Sequence, residues 1–97
     1  MIEGQMTGNV AAPAIPSNDT ITARVREFIV SNFYVADPTK LTESASLLDG
    51  GVIDSTGVLE VIAWLESEFG LQVADEEIVP DNLDSIARIT AYIQRKA

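Results

Sequence analysis

The sequence predicts an all-α fold: a small four-helix bundle of three longer helices and one short one, with a long ordered loop between helices 1 and 2. Apolar residues recur at helical spacing in three separate stretches, which is typical of amphipathic helices. Neither the alternating pattern of a strand nor an internal repeat occurs along the chain. With 97 residues, 46% of them hydrophobic, the chain is long enough for one modest core.

The composition excludes several classes of function. There are no cysteines, which excludes a disulfide scaffold, a CxxC redox site and a cysteine nucleophile. Histidine is also absent, and with it the usual general base and the commonest zinc ligand. We therefore expect a protein that enzymes act upon and not an enzyme.

The net charge of the chain limits the kinds of molecule that it can bind. A formal net charge of −9 disfavours binding to nucleic acids and to anionic membranes, and favours partners with basic patches. Charge alone fits a role in solubility equally well. Because no apolar run could span a bilayer and the N-terminus lacks a signal-peptide pattern, we expect a cytoplasmic protein, present as a monomer.

Residues 1–18 predict a flexible N-terminal tail, since glycine, proline, alanine and small polar residues mix there without periodicity. The folded domain is expected at residues 19–97. Its first helix should begin after Asp19 or Thr20. One apolar stripe runs along that helix: Ile21, Val25, Phe28, Ile29 and Phe33.

A long connection from Tyr34 to Asp54 follows, in which Pro38 breaks any helix. Loops of this length are unusual in compact domains unless they have a function. Gly50 and Gly51 permit a sharp turn into the next helix. Apolar side chains should anchor the loop on the core: Leu41, Leu47, Leu48, Val52 and Ile53.

The second helix is predicted from Ser55 to Phe69, with the oxygens of Asp54 and Ser55 available to cap its N-terminus. Its inward face combines Val58, Ile62, Leu65 and Phe69, with Val61 at the edge. Its outward face is small and polar, and comprises Thr56, Glu60, Ala63 and Ser67. Trp64 lies between the faces, as a partly buried flank residue or as an aromatic anchor for a partner.

Residues 72–79 predict a short helical turn in which Asp75, Glu76 and Glu77 cluster, with Pro80 ending it. The acidic spacing fits no EF-hand loop, so we expect no metal site. The last helix should start near residues 81–82. Its inward stripe comprises Leu83, Ile86, Ile89, Tyr92 and Ile93.

Residues 47–70 carry a specific pattern: Leu-Leu-Asp, a glycine turn, Val-Ile-Asp-Ser, and a helix that closes on Glu-Ser-Glu-Phe-Gly. This pattern resembles the acyl and peptidyl carrier proteins. The resemblance extends from about Thr20 to the C-terminus, where VPDNLDSIARITAYI is similar to the closing segment of free-standing carriers.

The resemblance implies that Ser55 carries 4′-phosphopantetheine, attached from coenzyme A by a phosphopantetheinyl transferase with Mg²⁺, and that Asp54 supports this step. An acyl- or aminoacyl-activating ligase would load the thiol of the arm as a thioester, and downstream acyl-transfer enzymes would receive the group. The outward face of the second helix, together with Trp64, would meet these partners.

Two departures from the family pattern follow the serine. Thr56 replaces the usual larger apolar residue, and Gly57 replaces the acidic residue common in fatty-acid carriers. Both favour a specialised biosynthetic pathway over ordinary fatty-acid synthesis. The alternative is a carrier-like interaction module that is never modified at Ser55 and uses Trp64 and the acidic second helix as its interface.

Overall fold

The computed structural model of the protein describes residues 16–96, and every regular element within that range is helical. The helices are α1 (Asn18–Asn32), α2 (Ser55–Phe69), α3 (Pro80–Leu83) and α4 (Ile86–Lys96), with 3₁₀ turns at Pro38–Lys40 and Asp75–Glu77. The predicted all-α bundle of three longer helices and one short helix is confirmed, although the short helix lies at Pro80–Leu83, and the turn predicted within residues 72–79 is a 3₁₀ turn. The tail predicted for residues 1–18 lies outside the described residues except for its last three positions.

One hydrophobic core joins the helices and the loop. Each predicted stripe contributes to it, and α4 is buried along its whole inward face. The core residues are Ile21, Val25, Ile29, Leu41, Leu47, Ile53, Val61, Ile62, Leu65, Leu83, Ile86, Ile89, Tyr92 and Ile93. The periodicity of the sequence therefore identified the buried side of α1 and α4. In α2, Ile62 and Leu65 are buried as predicted, but Val61, predicted at the edge of the inward face, is buried too, and Val58 and Phe69 are only half-buried.

Helix α1 begins slightly earlier than predicted. The Ser17 hydroxyl accepts a hydrogen bond from the Thr20 amide at 3.3 Å, so Ser17 is the N-cap and Asn18 the first helical residue. A serine just before the apolar stripe satisfies one unpaired amide of the first turn. The expected start after Asp19 or Thr20 overlooked this cap.

The loop between α1 and α2 is ordered by apolar anchors, as predicted, with two corrections. Leu41, Leu47 and Ile53 are buried, but Leu48 is 37% exposed and is not a core anchor. Pro38 also starts a 3₁₀ turn, capped by the Asp37 carboxylate, because proline suits the first position of a helical turn.

The predicted last helix is divided in two. Pro80 is the first residue of α3 and does not end the preceding turn. The helix is interrupted at residues 84–85. The Ser85 hydroxyl then accepts a hydrogen bond from the Arg88 amide at 3.0 Å, where α4 starts. The expected single start near residues 81–82 was wrong, because this serine provides a second N-cap inside the apolar periodicity.

Within residues 16–96, the longest apolar helical segments fall short of what crossing a bilayer requires.

Candidate functional site: an exposed serine at the mouth of an apolar cleft

Ser55 is the first residue of α2 and is exposed. Asp54, and not Ser55, is the N-cap: its Oδ1 accepts a hydrogen bond from the Gly57 amide at 2.7 Å. Because Asp54 performs the capping, the Ser55 hydroxyl is left for other chemistry. Of the two capping residues considered from the sequence, the structure selects Asp54.

The segment before the helix is held by one carbonyl. Leu47 O accepts from the amides of Val52 (3.0 Å) and Ile53 (3.2 Å), which closes the turn that includes Gly51. Gly51 has a φ of 71°, a conformation that side chains disfavour. The predicted sharp turn into α2 is therefore present, and it fixes the backbone immediately before Asp54 and Ser55.

A cleft of about 290 Å³ opens beside Ser55. The loop forms one wall, the first turn and a half of α2 a second, and residues 78–83 the third. Apart from Ser55, the lining is apolar: Leu47, Leu48, Ile53, Val58, Leu59, Ile78, Val79, Pro80 and Leu83.

The cleft was not predicted from the sequence. The available signal was the presence of large apolar residues outside the core stripes. Leu48, Leu59 and Val79 are 37%, 62% and 39% exposed, and all three lie around the cleft. Exposed apolar residues that cluster in space indicate a binding surface more strongly than the same residues scattered singly.

The third wall is tied to α4 through Glu77. Its Oε1 accepts from the Ala74 amide (2.9 Å), the Tyr92 hydroxyl (3.0 Å) and Lys96 Nζ (3.0 Å). These donors, with the Ala74 amide foremost, lower the pKa of Glu77. Burial, together with the hydrogen bond to Glu77, raises the pKa of Tyr92 to about 12.

The outward face predicted for α2 is present. Thr56, Glu60, Ala63 and Ser67 are all exposed. Thr56 lies directly beside Ser55, and the other three continue along the helix away from it. Their role in partner binding stays a prediction.

Trp64 is half-buried on the flank of α2. Its ring stacks on Phe28 of α1, with centroids 4.5 Å apart, and meets Phe69 edge-on at 5.5 Å. These contacts give Trp64 a packing role between α1 and α2. Whether a partner also uses its exposed edge stays a prediction.

Gly57 has a structural explanation that the sequence did not supply. It is buried, and a Cβ placed on it would lie 2.9 Å from the Phe33 ring and 3.0 Å from Ile53 Cγ2. The absence of an acidic residue at this position therefore follows from packing against α1. The glycine at position 57 therefore gives no information on how partner enzymes recognise the chain.

The acidic side chains of residues 75–84 do not converge. Nowhere within residues 16–96 do three or more carboxylates gather as they would around a metal ion. Asp81 instead pairs with Arg88 at 3.0 Å, and Glu77 with Lys96.

The comparisons with known proteins agree with this geometry. A family model described as "Phosphopantetheine attachment site" matches residues 23–93. An acyl carrier protein of Thermotoga maritima is 30% identical over 80 residues, which cover 82% of this chain and 95% of that protein. Acyl carrier protein 2, mitochondrial, of Arabidopsis thaliana is 38% identical over 73 residues, 75% of this chain and 56% of that protein.

An acyl carrier protein of Akkermansia muciniphila is also similar, at 32% identity over 79 residues, 81% of this chain and 95% of that protein. The matched region includes all of α2 and the cleft beside it. The chain therefore belongs to the family of acyl carrier proteins, whose prosthetic group is a covalently attached 4′-phosphopantetheine.

Proposed function

We propose that Ser55 is the residue that carries the phosphopantetheine arm, and that the protein presents acyl or aminoacyl groups on it as thioesters. The observation that supports this most strongly is the position of Ser55: exposed, at the N-terminus of a 15-residue helix and at the mouth of an apolar cleft. An unmodified interaction module, the alternative considered from the sequence, has no need of this combination.

The N-terminus of α2 suits a phosphate. The Ser55 and Thr56 amides belong to the first helical turn, where backbone N–H groups lack intrahelical acceptors. Together with the positive end of the helix dipole, they stabilise a phosphodiester on Ser55 Oγ. The terminal thiol of the bound group supplies the thioester chemistry, and this chain's residues hold the attachment point.

Activation of Ser55 Oγ must come from the transferase. A serine hydroxyl is a weak nucleophile without an adjacent base, and the protein contains no histidine. Asp54 is committed to capping α2 through Oδ1, and we propose that it also supports docking to the transferase. Members of this family interact with phosphopantetheinyl transferases and with acyl-transfer enzymes in general.

The apolar cleft next to Ser55 supports an acyl cargo with an apolar portion. For the choice of pathway, only Thr56 still favours a specialised ligase, since Gly57 is explained by packing. Loading assays that compare a fatty-acid transacylase with amino-acid- and carboxylate-activating ligases would decide this. Efficient loading by the transacylase alone would contradict a specialised pathway.

Intact mass spectrometry tests the proposed attachment. The protein is incubated with coenzyme A, Mg²⁺ and a broad-specificity phosphopantetheinyl transferase, beside the variants Ser55→Ala and Ser67→Ala. Ser67 is a matched control, because it is also an exposed serine on α2. We expect one phosphopantetheine on the wild type and on Ser67→Ala, and none on Ser55→Ala. Folded wild type that several transferases leave unmodified would refute the proposal.

We also propose that the protein is a monomer in the cytoplasm. Size-exclusion chromatography with light scattering measures the first point, and a stable dimer would contradict it.

A further inference from the structure

Asp84 lies at the junction of α3 and α4 and is bonded to three consecutive residues of the distant loop. Its backbone oxygen accepts from the Leu47 amide at 2.7 Å. Its Oδ1 accepts from the Leu48 amide at 2.9 Å, and its Oδ2 from the Ser46 hydroxyl at 2.7 Å. Both carboxylate oxygens and the carbonyl of one residue therefore hold the same stretch of loop.

The same residue also ends α3. The Asp84 amide donates to Pro80 O at 2.9 Å. Pro80 belongs to one wall of the cleft, while Leu47 and Leu48 belong to the facing wall. Asp84 is thus hydrogen-bonded to residues of both walls.

A short path of hydrogen bonds leads from Asp84 to Ser55. Leu47, which Asp84 holds by its amide, accepts the Val52 and Ile53 amides with its own carbonyl. These two residues precede Asp54, the cap of α2. The backbone before the modified serine is therefore fixed to the α3–α4 junction in two steps.

The chemistry suits an aspartate. Hydrogen bonds to an ionised carboxylate are shorter and stronger than neutral ones, and the two oxygens of Asp84 reach two donors on different residues of the loop. Within residues 16–96 no lysine or arginine is paired with Asp84, so its charge is compensated by the loop donors. One further bond, from the Ala87 amide to Glu43 O at 2.8 Å, holds the loop at its other end.

We propose that Asp84 is a positioning residue. It fixes the position in which Ser55 is presented to the transferase, and it sets the distance between the two walls of the cleft. This role rests on the proposed attachment at Ser55. Without the Asp84 carboxylate, residues 46–53 would sample several arrangements, of which only a fraction is competent for docking. The apparent affinity of a partner is then its intrinsic affinity multiplied by that fraction.

Transferase kinetics test the role. For Asp84→Ala we expect the KM for the carrier to rise about tenfold, the factor that loss of a charge-assisted hydrogen bond gives, with kcat little changed. Asp84→Asn should be affected less, since its amide oxygen can still accept from Leu48 and its NH₂ group can donate to Ser46.

Asp81→Ala is the matched control. Asp81 is an exposed aspartate of α3 with the same charge, and its side chain contacts Arg88 and not the loop. We expect its KM to equal that of the wild type. An unchanged KM in folded Asp84→Ala, or an equal rise in Asp81→Ala, would overturn the proposal.

Hydrogen exchange separates this proposal from the attachment at Ser55. In Asp84→Ala the amides of Leu47, Leu48, Val52 and Ile53 should exchange faster, while those of the α1 core keep their rates. Uniformly faster exchange would mean a general loss of stability and would also overturn the role. A wild type that no transferase modifies would refute the proposed function, and the exchange pattern would still decide whether Asp84 holds the loop.

Discussion

The two long sides of α2 are built differently. The side that faces α1 is closed by a row of half-buried aromatic rings, Phe33, Phe28, Trp64 and Phe69, in which neighbouring centroids lie 6.0, 4.5 and 5.5 Å apart. The side that faces α3 has no aromatic residue at its surface and contains the cleft.

The two sides of α2 therefore have different roles: the aromatic side supports the helix, and the cleft side leaves it accessible. Large interlocking rings bury much area and hold two helices at one distance. Aliphatic residues around a cleft leave room for an apolar ligand, and the short α3 opposite is held by the buried Leu83 and by the contacts of Glu77 and Asp84. Ser55 belongs both to the helix that the aromatic row supports and to the lining of the cleft, so the proposed attachment point combines a firm position with open space beside it. Substitutions on the two sides should therefore have unequal effects.

The largest effect is expected for Trp64→Ala, which removes the central ring of the row. Large-to-small substitutions of buried aromatics cost about 3–5 kcal/mol, and since Trp64 is half-buried we expect about 2–4 kcal/mol of unfolding free energy. Chemical denaturation followed by circular dichroism measures this. Glu60→Ala, on the exposed face one turn away, is the control and should change stability by less than about 0.5 kcal/mol. A similar value for both variants would contradict a supporting role for the aromatic row.

The next effect is expected for Gly57→Leu, which forces a side chain against Phe33 and Ile53. Overpacking of this kind destabilises by about 1–3 kcal/mol. Thr56→Leu places the same side chain one residue earlier on the exposed face, where we expect about 0.5 kcal/mol or less. Thermal unfolding of the pair makes the comparison. A Gly57→Leu protein as stable as Thr56→Leu would show that the contact with α1 is not close.

A smaller effect is expected for Tyr92→Phe, which removes one donor to Glu77 and so loosens the third cleft wall. We expect a loss of about 1 kcal/mol near neutral pH.

The pH dependence of this loss has a definite sign. The pKa of Tyr92 is raised to about 12 in the folded protein, against 10.0 ordinarily, so its contribution is complete below pH 10 and disappears as the pH rises from 10 to 12. The difference between wild type and Tyr92→Phe should shrink over that interval, as urea unfolding at pH 8 and at pH 11.5 can measure. A constant difference would contradict the raised pKa of Tyr92, to which burial contributes most and the hydrogen bond to Glu77 next.

Low pH should also loosen the third cleft wall, because it protonates Glu77. The pKa of Glu77 is lowered, so its contribution is present above its ordinary value of 4.5 and is lost as the pH falls through the folded value. Exchange of the Ala74 amide, which donates to Glu77, measures this, and Glu77→Gln should lose that acid dependence.

The smallest effect on stability is expected for Leu59→Ala, on the open side. Leu59 is 62% exposed, so its truncation should change the unfolding free energy by no more than about 0.5 kcal/mol. Denaturant unfolding beside Trp64→Ala completes the comparison. A loss near that of Trp64→Ala would remove the distinction between the two sides.

The sequence predicted the long helices and the location of Ser55 because both depend on local signals. Helical periodicity identified the buried stripes, and the Asp-Ser pair marked the start of α2. The break at Ser85 was missed because the apolar period continues across it from Leu83 to Ile86, and only the capping contact with Arg88 reveals it.

The cleft and the contacts of Asp84 with the loop are formed by residues far apart in the chain. Leu59 and Val79 become neighbours of one cleft only once α2 and α3 are packed. The hydrogen-bond partners of Asp84, Ser46 and Leu48, precede it by 38 and 36 positions in the chain, a separation at which no local sequence pattern operates. Gly57 belongs to the same class, since its lack of a side chain is explained by Phe33, which follows the end of α1 and lies 24 positions earlier in the chain.

Helix α3 is a single turn of four residues, and its place is set from outside by Glu77 before it and Asp84 after it. A single turn has almost no intrinsic helical stability, so there is little local structure for a substitution to destroy. Residues 79–81, which are exposed, therefore form a natural cassette for protein engineering, provided that Leu83 is kept because it is buried in the core. Exchanging them between carriers should retune which cargo is accepted, while the melting temperature stays with the helices that share the core.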